Sequence, residues 1–450
     1  MTSRIFVPFG NPHAGGNDIY LATASECGYD PTRYPDRSAP RVTSTPDSRT
    51  DAAMQLVDSL SRSRSELQAI RRDLHAHPEL RFQEQRTADL VARTLAGWGV
   101  EVHRGLAGTG VVGLIRSGKP GRSIGLRADM DALPIQETST FAHRSQFDGR
   151  MHACGHDGHT AMLLAAACHL AASRAFDGTV VLIFQPAEEG GAGADRMIRE
   201  GLFDRFPCDA VFALHNWPGL AVGQFAVAPG PMLASTNEFN IGVTGRGGHA
   251  AMPHLTVDPV LVAVQIVQGL QGIVTRTRNP IDSAVLSVTM IHAGDATNVI
   301  PDVARIGGTV RTFDDAVTDL FERRIRQVAD LTAQAHGAKA TVDFQRTYPP
   351  TVNHPAQAEF AAGVADGIVG ATNVVRNADP TLGAEDFSFM LRARPGAYLF
   401  IGNGDGVHRD AGHGAGPCTL HNASYDFNDE LIPIGGTFWI RLAEQFLRQA

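Results

Sequence analysis

Cysteine is scarce: five residues in 450, at positions 27, 154, 168, 208 and 418, odd in number and scattered. That pattern excludes a disulfide framework and makes a reducing cytoplasm the expected compartment. Basic runs are missing too. Lys and Arg total 39 against 47 Asp and Glu, a net charge of −8, and nothing has the electrostatic footprint of a nucleic-acid binder. The longest apolar stretch, around 162–170, is broken by His169 and too short to cross a bilayer. Neither nucleic acid nor membrane is therefore an expected partner. No charged segment followed by an apolar core and a cleavage site opens the chain, so a secretory signal is not supported. Residues 1–50 mix Pro, Gly, Ser, Thr, Asn and Arg without periodicity and are expected to be a poorly ordered leader, with Met54 a candidate alternative start. G-x-S-x-G and G-x-x-x-x-G-K-[ST] are both absent, which removes nucleophilic-serine and P-loop chemistry. Residues 108–113 do match G-x-G-x-x-G, but they lead into a β-like run and not a helix, so the phosphate-binding context is lacking.

What is present reads as an α/β chain. Apolar residues at helical spacing over 54–98 predict two helices around a polar elbow at His77-Pro78. Short β-rich runs follow at 110–115, 123–127, 179–184, 210–214 and 397–401, with a helical run at 160–173. This alternation predicts a sheet with helices on both faces, whose ligands sit at the carboxyl ends of its strands. Residues 235–345 change rhythm. Strand 237–243, helix 258–275, strands 283–291 and 304–311, helix 314–335 and strand 340–344 give the β-α-β-β-α-β order of a ferredoxin-like unit. It reads as an insertion into a catalytic domain built from 51–234 and 346–450.

The chemistry-bearing residues cluster in short motifs. Met151-His152-Ala153-Cys154-Gly155-His156 sets sulfur and imidazole two residues apart, a donor pair suited to a transition metal. Gln185-Pro186-Ala187-Glu188-Glu189-Gly190 ends a strand in adjacent carboxylates, which repel unless one is neutralised by a metal and the other kept as a base. The Gly-rich run behind them lets backbone approach a buried site closely. Leu214-His215 directly follows a strand, and His421 follows the 397–401 run after a long loop. A closed structural zinc site needs only four ligands. Cys154, His156, Glu189, His215 and His421 supply five, with a carboxylate to spare, which points to two metals and metal-assisted hydrolysis. The acids of Arg127-Ala128-Asp129-Met130-Asp131 read either as ligands or as groups that orient an imidazole. His249, in Gly245-Arg246-Gly247-Gly248-His249, reads either as part of a lid or as a solvated residue in a hairpin turn.

In this order the motifs resemble the M20 family of metallopeptidases and amidohydrolases, in the branch of hippurate hydrolase and the auxin-amino-acid conjugate hydrolases. The resemblance spans 55–450 and rests on RRDLHAHPEL (71–80), LRADMDALP (126–134), MHACGHDGH (151–159), QPAEEG (185–190), LHNWP (214–218), GRGGHAAMPH (245–254), TNVIPD (297–302), GAEDF (383–387) and LHNASYDFND (420–429). It implies a zinc-exopeptidase-like α/β catalytic domain with an inserted ferredoxin-like lid that also makes a homodimer. It further implies that Cys154, His156, Glu189, His215 and His421 hold two divalent ions, manganese or zinc, with Glu188 as general base and Asp131 behind the ligands. His249, Asn298 and Arg311 resemble the family's substrate contacts on the lid. The expected reaction is hydrolysis of the amide of an N-acyl amino acid; the alternatives are a dipeptidase or carboxypeptidase of the same superfamily and a non-catalytic binding relative.

Overall fold

A computed structural model describes residues 54–448 apart from Pro120; the expected leader lies outside the described residues. Strands Gly178–Gln185, Ser123–Asp129, Ala210–Pro218 and Gly396–Gly404 lie side by side in that order and run parallel. All four are buried on both faces, so their sequences are continuous apolar strings and not alternating ones. Glu101–Leu106 and Gly110–Ser117 extend one side of this centre, Phe225–Val227 and Val374–Arg376 the other, giving eight strands. The glycine motif at 108–113 thus enters a strand.

Helices Arg64–Ala76, His156–Ser173, Pro355–Val369 and Leu431–Phe446 contribute to the core on one face. Gly193–Arg199, Leu202–Arg205 and Phe387–Ala393 contribute to the core on the other. The expected pair of N-terminal helices is three, Asp58–Arg62, Arg64–Ala76 and Gln85–Gly97, with the polar elbow before the last. His156–Ser173 begins four residues before the expected start at 160. Fourteen of its 18 residues are buried, so no amphipathic stripe marked its first turn.

The segment from 235 onward forms a separate four-stranded antiparallel sheet in the order Ala284–Ala293, Val303–Thr312, Thr236–Thr244, Lys339–Tyr348. Helices Pro259–Gly272 and Asp315–Ala335 share a third core with it. The carboxylates of Asp258 and Asp314 accept the first N–H groups of these helices, each cap stabilising by about 1 kcal/mol. One expectation needs correcting here. Residues 259–277 are long and apolar enough to cross a membrane by length and composition, although polar glutamines interrupt them and hid the stretch from a search for unbroken runs. Val262, Ala263, Ile266 and Leu270 face the small core while Val260, Leu261 and Val264 are exposed.

An ionic cluster pins the start of the 156–173 helix. Arg71, fully buried, lies with Nε 3.0 Å from Asp157 and pairs with Asp426. His75 donates from Nδ1 to Asp157 at 2.8 Å and has Nε2 3.4 Å from Glu137. Burial works against the His75 imidazolium, but the bonds to Asp157 and Glu137 outweigh it and raise its pKa to about 9. Since the folded value lies above the unfolded 6.5, this contribution is full below pH 6.5 and is lost as pH rises through 9. The shift corresponds to about 3 kcal/mol. Denaturation midpoints of the wild type should therefore fall more steeply between pH 6.5 and 9 than those of His75→Gln; equal slopes would remove His75 from the account.

Candidate metal centre

Because the four central strands are parallel, the segments leaving them converge at one edge of the sheet. After Ser123–Asp129 the chain delivers Asp131, then Cys154, then His156 in the first turn of its helix. Between the last two, Gly155 holds φ 89°, and a Cβ there would lie 2.2 Å from the Asn216 amide nitrogen, so only glycine fits. After Gly178–Gln185 come Glu188 and Glu189. His215 lies inside its strand and not after it, because Gly396–Gly404 pairs alongside as far as Pro218. His421, at φ 61°, is fastened by its N–H to the Ala153 carbonyl at 2.7 Å.

Among the described residues, two donor trios share the Cys154 sulfur, and His156 also joins Asp129 and His159 in a third and Glu188 and Glu189 in a fourth. Cys154 Sγ lies within 4.8 Å of ligand atoms of His156 and His215, and equally of Glu189 and His421. Sγ is 3.4 Å from His215 Nε2, and His421 Nε2 is 3.2 Å from Glu189 Oε1. His156 Nδ1 is 2.8 Å from the Asp131 carbonyl and His215 Nδ1 is 2.7 Å from that of Asn216. Carbonyls only accept, so both protons sit on Nδ1 and both Nε2 atoms are left for a ligand role. His156 Nε2 is buried and has no hydrogen-bond partner. Bonds to Cys154 and Glu189 raise His421 to about 10, and at His156 the charges of Asp129 and Cys154 outweigh burial and raise it too. At His215 burial and then the neighbouring His159 act the other way and lower it; the mix of sulfur, imidazole and carboxylate donors fits a divalent transition metal.

Glu188 stands within 4.8 Å of His156 and Glu189 donor atoms but belongs to neither trio that shares Cys154. Burial, then the charges of Glu385, Glu189 and Asp386, push its carboxyl well above the ordinary range. Its turn is tight. Ala187 (φ 56°) and Ala192 (φ 52°) are left-handed without being glycine, at a cost of order 1 kcal/mol each. Gly193 presses against Pro186, where a Cβ would meet the carbonyl oxygen at 1.7 Å. Asp131 braces the turn by accepting from the N–H groups of Glu188 and Glu189 at 3.1 and 2.9 Å. Its backbone meanwhile orients His156, so one residue ties the imidazole and the turn together.

The sequence pattern of peptidase family M20/M25/M40 matches residues 125–445. The chain belongs to that family. It is 40% identical over 395 residues to the hippurate hydrolase of Campylobacter jejuni, covering 88% of this chain and all of that one. An IAA-amino acid hydrolase of Arabidopsis thaliana is 41% identical over 383 residues, 84% of this chain and 85% of its own. Among solved structures, a dinuclear metal binding peptidase from the M20 family, the YXEP protein of Bacillus subtilis, superposes with a TM-score of 0.74 at 34% identity over 86% of this chain and 99% of its own.

In this M20 chain the small sheet carries the remaining sequence candidates. His249 pairs in register with Val299 on a two-stranded ribbon, and Ala250 N–H donates to the Asn298 carbonyl, so His249 and Asn298 are neighbours. Arg311 stands apart on Val303–Thr312. Among the described residues no hydrogen bond or ion pair joins these three to the trios. Sequence reasoning passed over several residues that surround the trios. It weighed Asp129 only as one acid of its motif, yet its carboxylate accepts from His159 Nδ1 at 2.6 Å and from Arg127 at 2.7 Å. Asn216 contacts His159, the Cys154 carbonyl and the Tyr425 hydroxyl. Arg127 neutralises the buried Glu385 and Asp386, whose motif was legible as GAEDF although their role was not.

Proposed function

We propose that this chain is a metal-dependent amidohydrolase that splits the amide of N-acyl amino acids, with Glu188 as general base. The observation that carries the reading is the sharing of Cys154 by two donor trios beside a buried carboxylate that neither of them uses. Two divalent ions, manganese or zinc, would be held by Cys154, His156, Glu189, His215 and His421. When bound, such a pair supplies Lewis-acid polarisation of the amide carbonyl and charge to stabilise the developing oxyanion. Glu188 takes a proton from the attacking water and returns it to the leaving nitrogen. Asp131 keeps Glu188, Glu189 and His156 in register. The substrate class follows the named activities of the two relatives, both hydrolases of acyl groups joined to amino acids.

His249, Asn298 and Arg311 are assigned to the substrate's carbonyl and carboxylate, the small sheet acting as lid. The same reading includes a homodimer in which the lid of one copy serves the other. Exposed Val260, Leu261 and Val264, together with Met290 and Ile291 on the edge strand Ala284–Ala293, offer the apolar face for it. A reducing cytoplasm, in which the four described cysteines stay free, suits a thiolate ligand. The test is amine release from benzoyl-glycine, N-acetyl and indole-acetyl amino acids and dipeptides, using chelated protein and protein refilled with manganese or zinc, its mass read by sedimentation. Metal-restored turnover of an acyl-amino acid by a dimer is expected. Turnover of dipeptides alone would move the assignment to a peptidase, and none at full metal loading would overturn catalysis.

A further inference from the structure

The turn that presents Glu188 is held from outside the donor set on two sides. Glu84, fully buried in the elbow before helix Gln85–Gly97, accepts from the Ala187 N–H at 2.9 Å, from the Phe82 N–H at 2.9 Å and from the Thr109 hydroxyl at 2.7 Å. It thereby fixes the left-handed residue immediately before the base. Across the turn, the Tyr348 hydroxyl donates to the Glu188 carbonyl at 2.6 Å and accepts from the Ala192 N–H at 3.0 Å. That one oxygen spans both flanks of the turn, ending on the second left-handed residue. Tyr348 is itself buried, with its ring against Phe389. It is also the last residue of Lys339–Tyr348, paired with Thr236, the first residue of the strand that enters the small sheet. Both connections between the two sheets therefore meet at the residue that grips Glu188.

We propose that Glu84 and Tyr348 are positioning residues that clamp the turn bearing Glu188, and that through Tyr348 the placement of the small sheet sets the placement of the base. The proposal rests on the reading of Glu188 as general base. Neither residue is a donor in the trios, and each reaches the turn across a long stretch of sequence, 103 residues for Glu84 and 160 for Tyr348. The physical need is plain. Two alanines in left-handed conformation relax toward ordinary backbone angles unless their N–H groups are caught, and relaxation swings the carboxylate between them. Misplacing a reacting group by about 1 Å costs on the order of 10²-fold in rate.

The experiment uses the full metal-loaded chain and measures kcat, KM and metal content for Tyr348→Phe, Glu84→Gln, Glu188→Gln and each of the first two combined with Glu188→Gln. Phe keeps the ring packing and removes only the hydroxyl; Gln keeps the size of Glu84 and weakens its hold. For Tyr348→Phe a fall in kcat of about 10–100-fold is expected, with KM and metal content near wild type. In the Glu188→Gln background neither change should lower the residual rate further, because a clamp acts only through the group it holds. A merely structural residue would depress both backgrounds alike. Should Tyr348→Phe fail to fold, Glu84→Gln answers the same comparison. If Glu188→Gln abolishes turnover while Tyr348→Phe and Glu84→Gln stay within twofold of wild type, or if either lowers both backgrounds equally, the clamp is overturned and the base stands. If Glu188→Gln itself keeps full turnover, the base is overturned and the clamp with it.

Discussion

Glu188→Gln should leave metal content unchanged and lower kcat by at least about 10²–10⁴-fold, the usual worth of general-base help, equivalent to roughly 3–5.5 kcal/mol of barrier. Metal should survive because each trio around Cys154 is complete without Glu188. Gln keeps the shape of the side chain and the backbone bonds of residue 188 to Asp131 and Tyr348, so the turn has no reason to move. What it loses is the ability to accept a proton. KM should change little, since the proton moves only in the transition state. Glu189→Gln is the contrasting variant. Its carboxylate faces His421 and Cys154, so its loss should appear first as lost metal, with activity following metal content. Parallel metal analysis and steady-state kinetics separate the two. If Glu188→Gln keeps its metal and its rate to within tenfold, another group is the base.

How far the sequence carries such an argument depends on the range of each signal. The ferredoxin-like order was legible because it is written locally, in alternating strands and in Asp258 and Asp314, which cap the two helices as their positions suggest. The donors were legible by residue type, each a polar residue at or near the end of an apolar run. His215 shows the limit: whether a residue ends a strand or sits within it is decided by its neighbour, here the strand Gly396–Gly404 far along the chain. The helix holding His156 starts earlier than its pattern suggests because it is buried all round, which erases periodicity. The roles of Glu84, Asn216 and Tyr348 were not legible. Each is a polar residue, Asn216 even inside the quoted LHNWP motif, whose meaning lies in a partner at least 57 positions away. The ionic cluster of Arg71, His75, Asp157 and Asp426 was hidden likewise, its members lying in three separate motifs that read as one site only when folded.

Cys154→Ala should empty both metal positions at once, whereas His215→Ala should weaken one. The difference follows from membership: Cys154 belongs to both trios and His215 to one. A bound ion contributes several kcal/mol to charge stabilisation, so losing both should cost at least about 10³-fold in kcat. The fold should persist. Cys154 sits in a loop over the sheet edge, and the neighbouring structure is held by bonds that do not involve its sulfur, from Asn216 to the Cys154 carbonyl and from His421 N–H to the Ala153 carbonyl. Cys154→Asp supplies the decisive contrast, because a carboxylate brings two oxygens and can reach two ions where a methyl reaches none. Metal titration of the three variants should give the least binding for Cys154→Ala, about one ion for His215→Ala, and partial recovery toward two for Cys154→Asp. If Cys154→Ala retained two ions, the sulfur would not be the shared ligand and the pairing of the trios would have to be redrawn around Glu189, which also lies within reach of His156 and Glu188.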